Sequence, residues 1–111
     1  MSNPLHDNIE VIESGYEFLL AYAAQGRDSD EGTEARATLT GMAESARAII
    51  SALEDDDDAF GSVVIDDARK AGAAIQYVLK QQKIGSELVD NLNASIHLRA
   101  LLTDLFLISE V

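Results

Sequence analysis

The chain has 111 residues, of which 47% are hydrophobic, and its 20 acidic and eight basic side chains give a formal net charge of −12. This length accommodates one domain, and the apolar content is too high for a disordered chain. Because nucleic acids and anionic lipids attract proteins through Lys and Arg, the charge argues against both as direct partners.

The first predicted helix covers about residues 4–25. Pro4 suits its first turn, where the missing amide costs no hydrogen bond, and Gly26 suits its end because glycine tolerates left-handed backbone. Apolar residues recur at helical spacing between these two positions. The residues predicted to face the core are Leu5, Ile9, Ile12, Tyr16, Leu19, Leu20 and Ala23.

The second predicted helix covers about residues 33–53 and follows a polar, Gly-containing segment. Its apolar positions recur at heptad spacing, which is typical of a helix that packs against other helices. These positions are Ala35, Leu39, Met42, Ala46, Ile49 and Leu53.

Five consecutive acidic residues, 54–58, follow the second helix. Carboxylates stabilise the positive N-terminal end of a helix and oppose its negative C-terminal end. We therefore place a turn within this run and begin a third helix near Asp58. The third helix is predicted over about residues 58–83.

Gly85 and Ser86 mark the turn into a fourth predicted helix, over about residues 87–109. Four helices of similar length with short connections predict an antiparallel four-helix bundle, because no segment shows the alternating pattern of a strand. We expect an all-α fold with up-down-up-down topology and a single domain, 1–111.

Asp90, His97 and Asp104 recur at seven-residue intervals on the fourth predicted helix and form a candidate polar site. Histidine titrates near neutral pH, so His97 is a candidate proton acceptor, phosphate acceptor or pH switch. Histidine phosphotransfer bundles place Lys and Gly three and four residues after the histidine, where this chain has Ala100 and Leu101. A boundary histidine with an ordinary hydrogen-bond partner is the more economical interpretation.

The sequence contains no pattern typical of metal or cofactor binding. His6 shares a helical stripe with three Glu residues, but carboxylate-bridged bundles use Glu-x-x-His pairs on two helices, and the chain has none. It also lacks Cys, a Gly-rich phosphate loop and a nucleophile triad. We expect no metal, no cofactor and no enzymatic activity.

Two predicted helices carry apolar side chains away from their core-facing positions. Val11, Phe18 and Tyr22 fall within about 40° of one another on the first helix, and Leu107 points away from the core-facing leucines of the fourth. A helix that is apolar on two faces is typical of one with a further partner. The predicted partner-binding residues are Val11, Phe18, Tyr22, Leu107 and Val111.

These observations favour a small, non-enzymatic helical-bundle protein that acts through protein contacts, as an adaptor, accessory factor or regulator. We expect a cytoplasmic location, because the N-terminal residues lack the basic and apolar segments of a signal peptide. A symmetric homodimer is the simplest way to cover the apolar surface, although another protein would also do so.

Two alternative functions remain open. The first is an acidic inhibitor, such as an antitoxin, immunity protein or phage-encoded antagonist, that blocks a basic nucleic-acid-binding site. The second is a phosphotransfer protein or carboxylate enzyme that uses His97.

Overall fold

The computed structural model describes residues 4–110, which form five α-helices and no strand. The all-α prediction is confirmed, but the described residues contain five helices and not four. No helix in this part of the chain is long and apolar enough to cross a membrane. The helices are α1 (Pro4–Ala23), α2 (Ala35–Leu53), α3 (Ala59–Leu79), α4 (Ser86–Ala94) and α5 (Ile96–Ser109).

The core lies between α2 and the helices on either side of it. α2 makes its most extensive contacts with α3 and α1, while α5 packs mainly on α3 and α4 mainly on α1. All six heptad positions of α2 are buried, as predicted, because this helix is covered on two sides. Five residues of α3 at the same spacing are also buried: Val64, Ala68, Ala71, Ile75 and Val78.

The prediction of one continuous fourth helix is wrong, because Ser95 interrupts it. The Ser95 backbone is extended (φ −60°, ψ 130°), and its hydroxyl accepts a 3.2 Å hydrogen bond from the His97 amide. Leu92 and Leu98 are both buried, although a straight helix does not place residues six apart on one face. Ile96, which lies one turn after Leu92 in sequence, is 72% exposed. The break therefore lets α4 and α5 bury different faces.

At one end of the molecule, the loop 24–34 is joined by hydrogen bonds to the loop 80–85 and to Ser86, the first residue of α4, and we name this junction the loop clasp. The Ser86 amide donates to the Arg27 carbonyl oxygen, and the Arg27 amide donates to the Ser86 hydroxyl, both at 2.8 Å. A Cβ at Gly85 would lie 2.9 Å from the Arg27 carbonyl oxygen. The two loops approach so closely that only glycine fits at this position.

Arg36 of α2 connects the loop clasp to the C-terminal end of α3. Its guanidinium forms a 3.1 Å ion pair with Asp30 and donates to the carbonyl oxygens of Leu79 and Gln81, at 2.9 and 3.0 Å. These interactions place a positive charge at the negative end of the helix. A hydrogen bond from the Ile84 amide, together with Arg36, holds the pKa of Asp30 below its usual value.

Candidate functional site

The structure divides the predicted partner-binding residues between two separate recesses. Val11, which is 43% exposed, and the half-buried Phe18 line a groove between α1 and α2. Leu107 is 58% exposed and lines a cleft formed by the ends of other helices. Val111 lies outside the described residues.

Tyr22 was predicted to lie on the partner-binding face, but its side chain is only 1% exposed. Its hydroxyl donates to the Ile84 carbonyl oxygen at 2.6 Å, and its ring stacks on Phe18 with centroids 6.0 Å apart. The buried face of α1 is rotated from the predicted one, because α1 packs against α2 and α4 together. For the same reason Leu20, which was predicted to face the core, is 48% exposed.

The apolar and small residues in the lining of the α1–α2 groove include Val11, Phe18, Gly15, Ala37 and Gly41, and the groove has a volume of about 580 Å³. Small residues let the two helices approach, because a Cβ on Gly15 would lie 2.6 Å from the Met42 side chain. At Gly41 a Cβ would lie 4.0 Å from Val11, which is ordinary contact. The groove therefore has a tightly packed floor and an open apolar wall.

Acidic side chains lie along the α1 side of this groove. Asp7 and Glu10 belong to its lining, and both are exposed. Its lining includes no Lys, Arg or His. The groove therefore offers apolar contact and negative charge to whatever occupies it.

The second recess, which we name the end cleft, lies at the opposite end of the helices from the loop clasp. It encloses about 380 Å³, within the range of ligand pockets, and Asp56 and Asp58 belong to its lining. Its walls come from the beginnings of α1 and α3 and the ends of α2 and α5. The apolar wall residues are Leu5, Leu53, Phe60, Leu107 and Ile108.

The acidic run 54–58 forms the connection beside this cleft, and all five of its residues are exposed. Asp58 is the N-cap of α3 and accepts a 2.9 Å hydrogen bond from the Phe60 amide, so the predicted helix start is confirmed. Asp56 accepts a hydrogen bond from the Asp58 amide at the same distance. Each carboxylate thus has one oxygen hydrogen-bonded to the backbone, and this bond holds the carboxylate group in position beside the cleft.

The structure does not bring the candidate polar residues Asp90, His97 and Asp104 together. Asp90 and His97 are exposed, whereas Asp104 is 7% exposed. Within the described part of the chain, no hydrogen bond or ion pair joins any two of these three residues. The break at Ser95 removes the continuous helix on which the seven-residue spacing depended. The three residues do not form the site that the spacing predicted.

Asp104 instead lies next to Asp67 of α3. Burial, followed by the neighbouring carboxyl group of Asp67, raises the pKa of Asp104 to about 7. The Oδ2 atom of Asp104 is buried without a hydrogen-bond partner. A proton on one carboxyl group allows the pair to share a hydrogen bond, which two ionised groups could not form.

Sequence analysis did not identify Asp67 as part of a site, although a signal was present. Asp67 lies three residues after Val64 and four before Ala71, both of which are buried core positions of α3. An acidic residue between two core positions indicates a buried or half-buried charge. Its partner on α5 depends on the packing of distant helices, which the local pattern does not contain.

The described residues, 4–110, contain no group of three or more His, Cys, Asp or Glu side chains that could hold a metal ion. Comparison with known proteins gives no matching family model, no similar curated protein and no similar solved structure. The two recesses and the charge that surrounds them are the features of the molecule that bear on its function.

Proposed function

We propose that this protein is a non-enzymatic binding module whose α1–α2 groove holds part of another protein. The observation that supports this proposal is Val11, an apolar side chain 43% exposed on the wall of an open apolar groove. Exposure of such an apolar surface to water is unfavourable, and contact with an apolar partner would bury it. Adaptors, accessory factors and regulators all act through contacts of this kind.

Charge favours a partner that presents an apolar surface edged by Lys or Arg. Asp7 and Glu10 accompany the apolar wall, and the whole chain carries a net charge of −12. A second copy of the chain would bring further acidic side chains to the interface, and like charges across an interface are costly. We therefore favour a different protein over the homodimer, which the experiment below also detects.

Photo-crosslinking in the native host tests the proposal. A photoreactive amino acid at Ala37, exposed within the groove, is compared with the same amino acid at Ala73, exposed on α3. We expect a cross-linked protein from position 37 only, with Lys or Arg close to the attachment point. The adduct is identified by mass spectrometry.

Two variants then test whether the groove itself binds this protein. Val11→Gln removes an apolar contact, and Gly41→Leu fills the groove while improving helix propensity. Both should weaken binding at least about tenfold, since burying an aliphatic side chain is worth about 1.5 kcal/mol or more. Val63→Gln is the matched control, because Val63 is 46% exposed and lies outside the groove.

Unchanged binding by Val11→Gln and Gly41→Leu would remove the groove from consideration. A second copy of the chain as the cross-linked protein would replace the proposed partner with a homodimer. Circular dichroism of each variant checks that the helices remain intact.

The acidic inhibitor remains a second candidate, and the exposed acidic run 54–58 favours it. A surface that imitates nucleic acid binds a basic target mainly by charge, so its affinity falls steeply as salt rises. Competition between this protein and DNA for the cross-linked partner, measured at two salt concentrations, distinguishes this function. Salt-insensitive binding without competition would exclude it.

A further inference from the structure

We infer that the end cleft is a second binding site, for a protein segment that carries one large apolar side chain beside Lys or Arg. The cleft and the α1–α2 groove share no lining residue. This inference therefore goes beyond the proposed function and does not depend on it.

The cleft is large enough for an aromatic or large aliphatic side chain. Its volume is about 380 Å³, and most of its lining residues are apolar residues from four helices. Leu107 remains 58% exposed at this site, although Leu101 and Leu105 on the same helix are completely buried. An inserted apolar side chain would cover Leu107 and complete the packing at this end of the core.

The charge at the cleft specifies the residues next to that apolar side chain. Asp56 and Asp58 line the cleft, and the other three acidic residues of the run 54–58 lie beside them. No Lys, Arg or His belongs to the lining. Complementary charge orients and accelerates association, so a segment with flanking Lys or Arg is favoured over a neutral or acidic one.

The backbone hydrogen bonds at the cleft let its charge be removed without changing its structure. Asp58 accepts from the Phe60 amide and Asp56 from the Asp58 amide, each through Oδ1. Asparagine also caps helices and can accept both hydrogen bonds. Asp56→Asn and Asp58→Asn together therefore change the charge and retain the loop.

Fluorescence polarisation with labelled peptides tests the inference on the full chain. The probe is a peptide with one Phe flanked by Lys residues, and the matched peptides replace Phe by Ser or each Lys by Glu. We expect saturable binding of the Phe–Lys peptide and at least about tenfold weaker binding of the other two. Equal binding of the Ser or the Glu peptide would overturn the inference.

Protein variants locate the binding to the cleft. Leu107→Gln should weaken binding of the Phe–Lys peptide at least about tenfold, whereas Leu20→Gln, a comparably exposed leucine outside the cleft, should leave it unchanged. The double Asn variant should weaken binding several-fold at low salt and much less at high salt. Equal effects of Leu107→Gln and Leu20→Gln would contradict binding of the peptide in the end cleft.

A measurement on the unmodified protein makes the result independent of the variants. In amide NMR spectra, the Phe–Lys peptide should shift the signals of Phe60, Gly61 and Leu107, whether or not it also shifts those of Gly15 and Gly41 in the α1–α2 groove, which favours the same chemistry. Shifts confined to the groove would assign the peptide to the wrong site and overturn the inference. A dimer that forms at higher concentration and is abolished by Leu107→Gln would assign the cleft to a second copy, which also overturns it.

Discussion

Gly26 and Gly72 have similarly open surroundings but different backbone conformations. Apart from the adjacent residues and, at Gly72, the nearby backbone of its own helix, no heavy atom would lie within 4 Å of a Cβ at either position. Gly26 has a φ of +67°, in the left-handed region, whereas Gly72 lies within α3. The sequence predicted the left-handed turn at Gly26 from its position after the first apolar series. For Gly72 it offered no comparable role.

These two glycines should respond in opposite directions to the same added methyl group. Gly72→Ala is expected to raise the free energy of unfolding by about 0.5–1 kcal/mol, because alanine loses less backbone entropy in a helix. Gly26→Ala is expected to lower it by about 1 kcal/mol, because an L-residue is strained at positive φ. Urea unfolding measures both changes. An unchanged midpoint for Gly26→Ala would show that the turn relaxes without cost.

Tyr22 shows the limit of sequence analysis at the scale of single residues. The helical wheel placed Tyr22 beside Phe18 correctly, since the two rings stack. It did not show that the 80–85 loop would cover that part of α1, because Ile84 is 62 residues away in the chain. A long-range hydrogen bond of this kind has no local signal.

At the scale of elements, the sequence predicted α1, α2 and the start of α3, but it extended α3 to about residue 83, whereas the helix ends at Leu79. It also missed the division of the fourth helix. The heptad pattern identified α2 because this helix is buried between two neighbours along its whole length. The fourth predicted helix packs on α1 first and on α3 afterwards. Ser95 was the available signal, because serine is a strong N-cap, but the apolar residues on both sides of it favoured continuity.

The cap at Ser95 should contribute measurably to stability. Ser95→Ala removes the acceptor of the His97 amide and should lower the free energy of unfolding by about 1 kcal/mol, while Ser95→Asp should retain the cap. Thermal unfolding followed by circular dichroism tests both variants. Ser51→Ala, at an exposed position of α2, is the control and should be neutral or slightly stabilising. Equal behaviour of the two Ala variants would indicate that the capping bond contributes nothing.

At the scale of the whole molecule, the dominant property is negative charge, and one acid is buried within it. Asp104 is 7% exposed, its neighbour on α3 is the acidic Asp67, and no other charged group in the described chain contributes to its raised pKa. The composition, with its net charge of −12, indicated an acidic surface. It did not reveal that a carboxyl group would be enclosed between α3 and α5, since this depends on how the helices pack.

Stability should therefore fall as the pH rises from about 4 to about 7. The pKa of Asp104 is about 7 in the folded protein, against an ordinary value of 3.8, so the folded state binds the extra proton in this interval. The loss is complete only above pH 7 and is at most about 4 kcal/mol, because each unit of pKa difference corresponds to about 1.4 kcal/mol. The lowered pKa of Asp30 acts in the opposite direction, and its contribution is lost only in more acidic solution.

Urea unfolding at pH 5 and pH 8 measures this dependence. Asp104→Asn should reduce the difference between the two pH values and raise stability at pH 8, because no buried carboxylate then forms beside Asp67. Asp66→Asn, an exposed acid paired with Lys70, should leave most of the difference in place. A wild-type protein equally stable at both pH values would contradict the assignment.

The loop clasp makes the two ends of the molecule mechanically unequal. At one end, hydrogen bonds through Arg36, Tyr22 and Ser86 hold the loops to the helices. At the other end, side-chain packing around the end cleft holds the helix ends together. If an inserted side chain separates these ends, the helices would move apart there while the hydrogen bonds of the loop clasp hold their other ends together. The widest displacement would then occur at the acidic connection, far from the hydrogen bonds that preserve the fold.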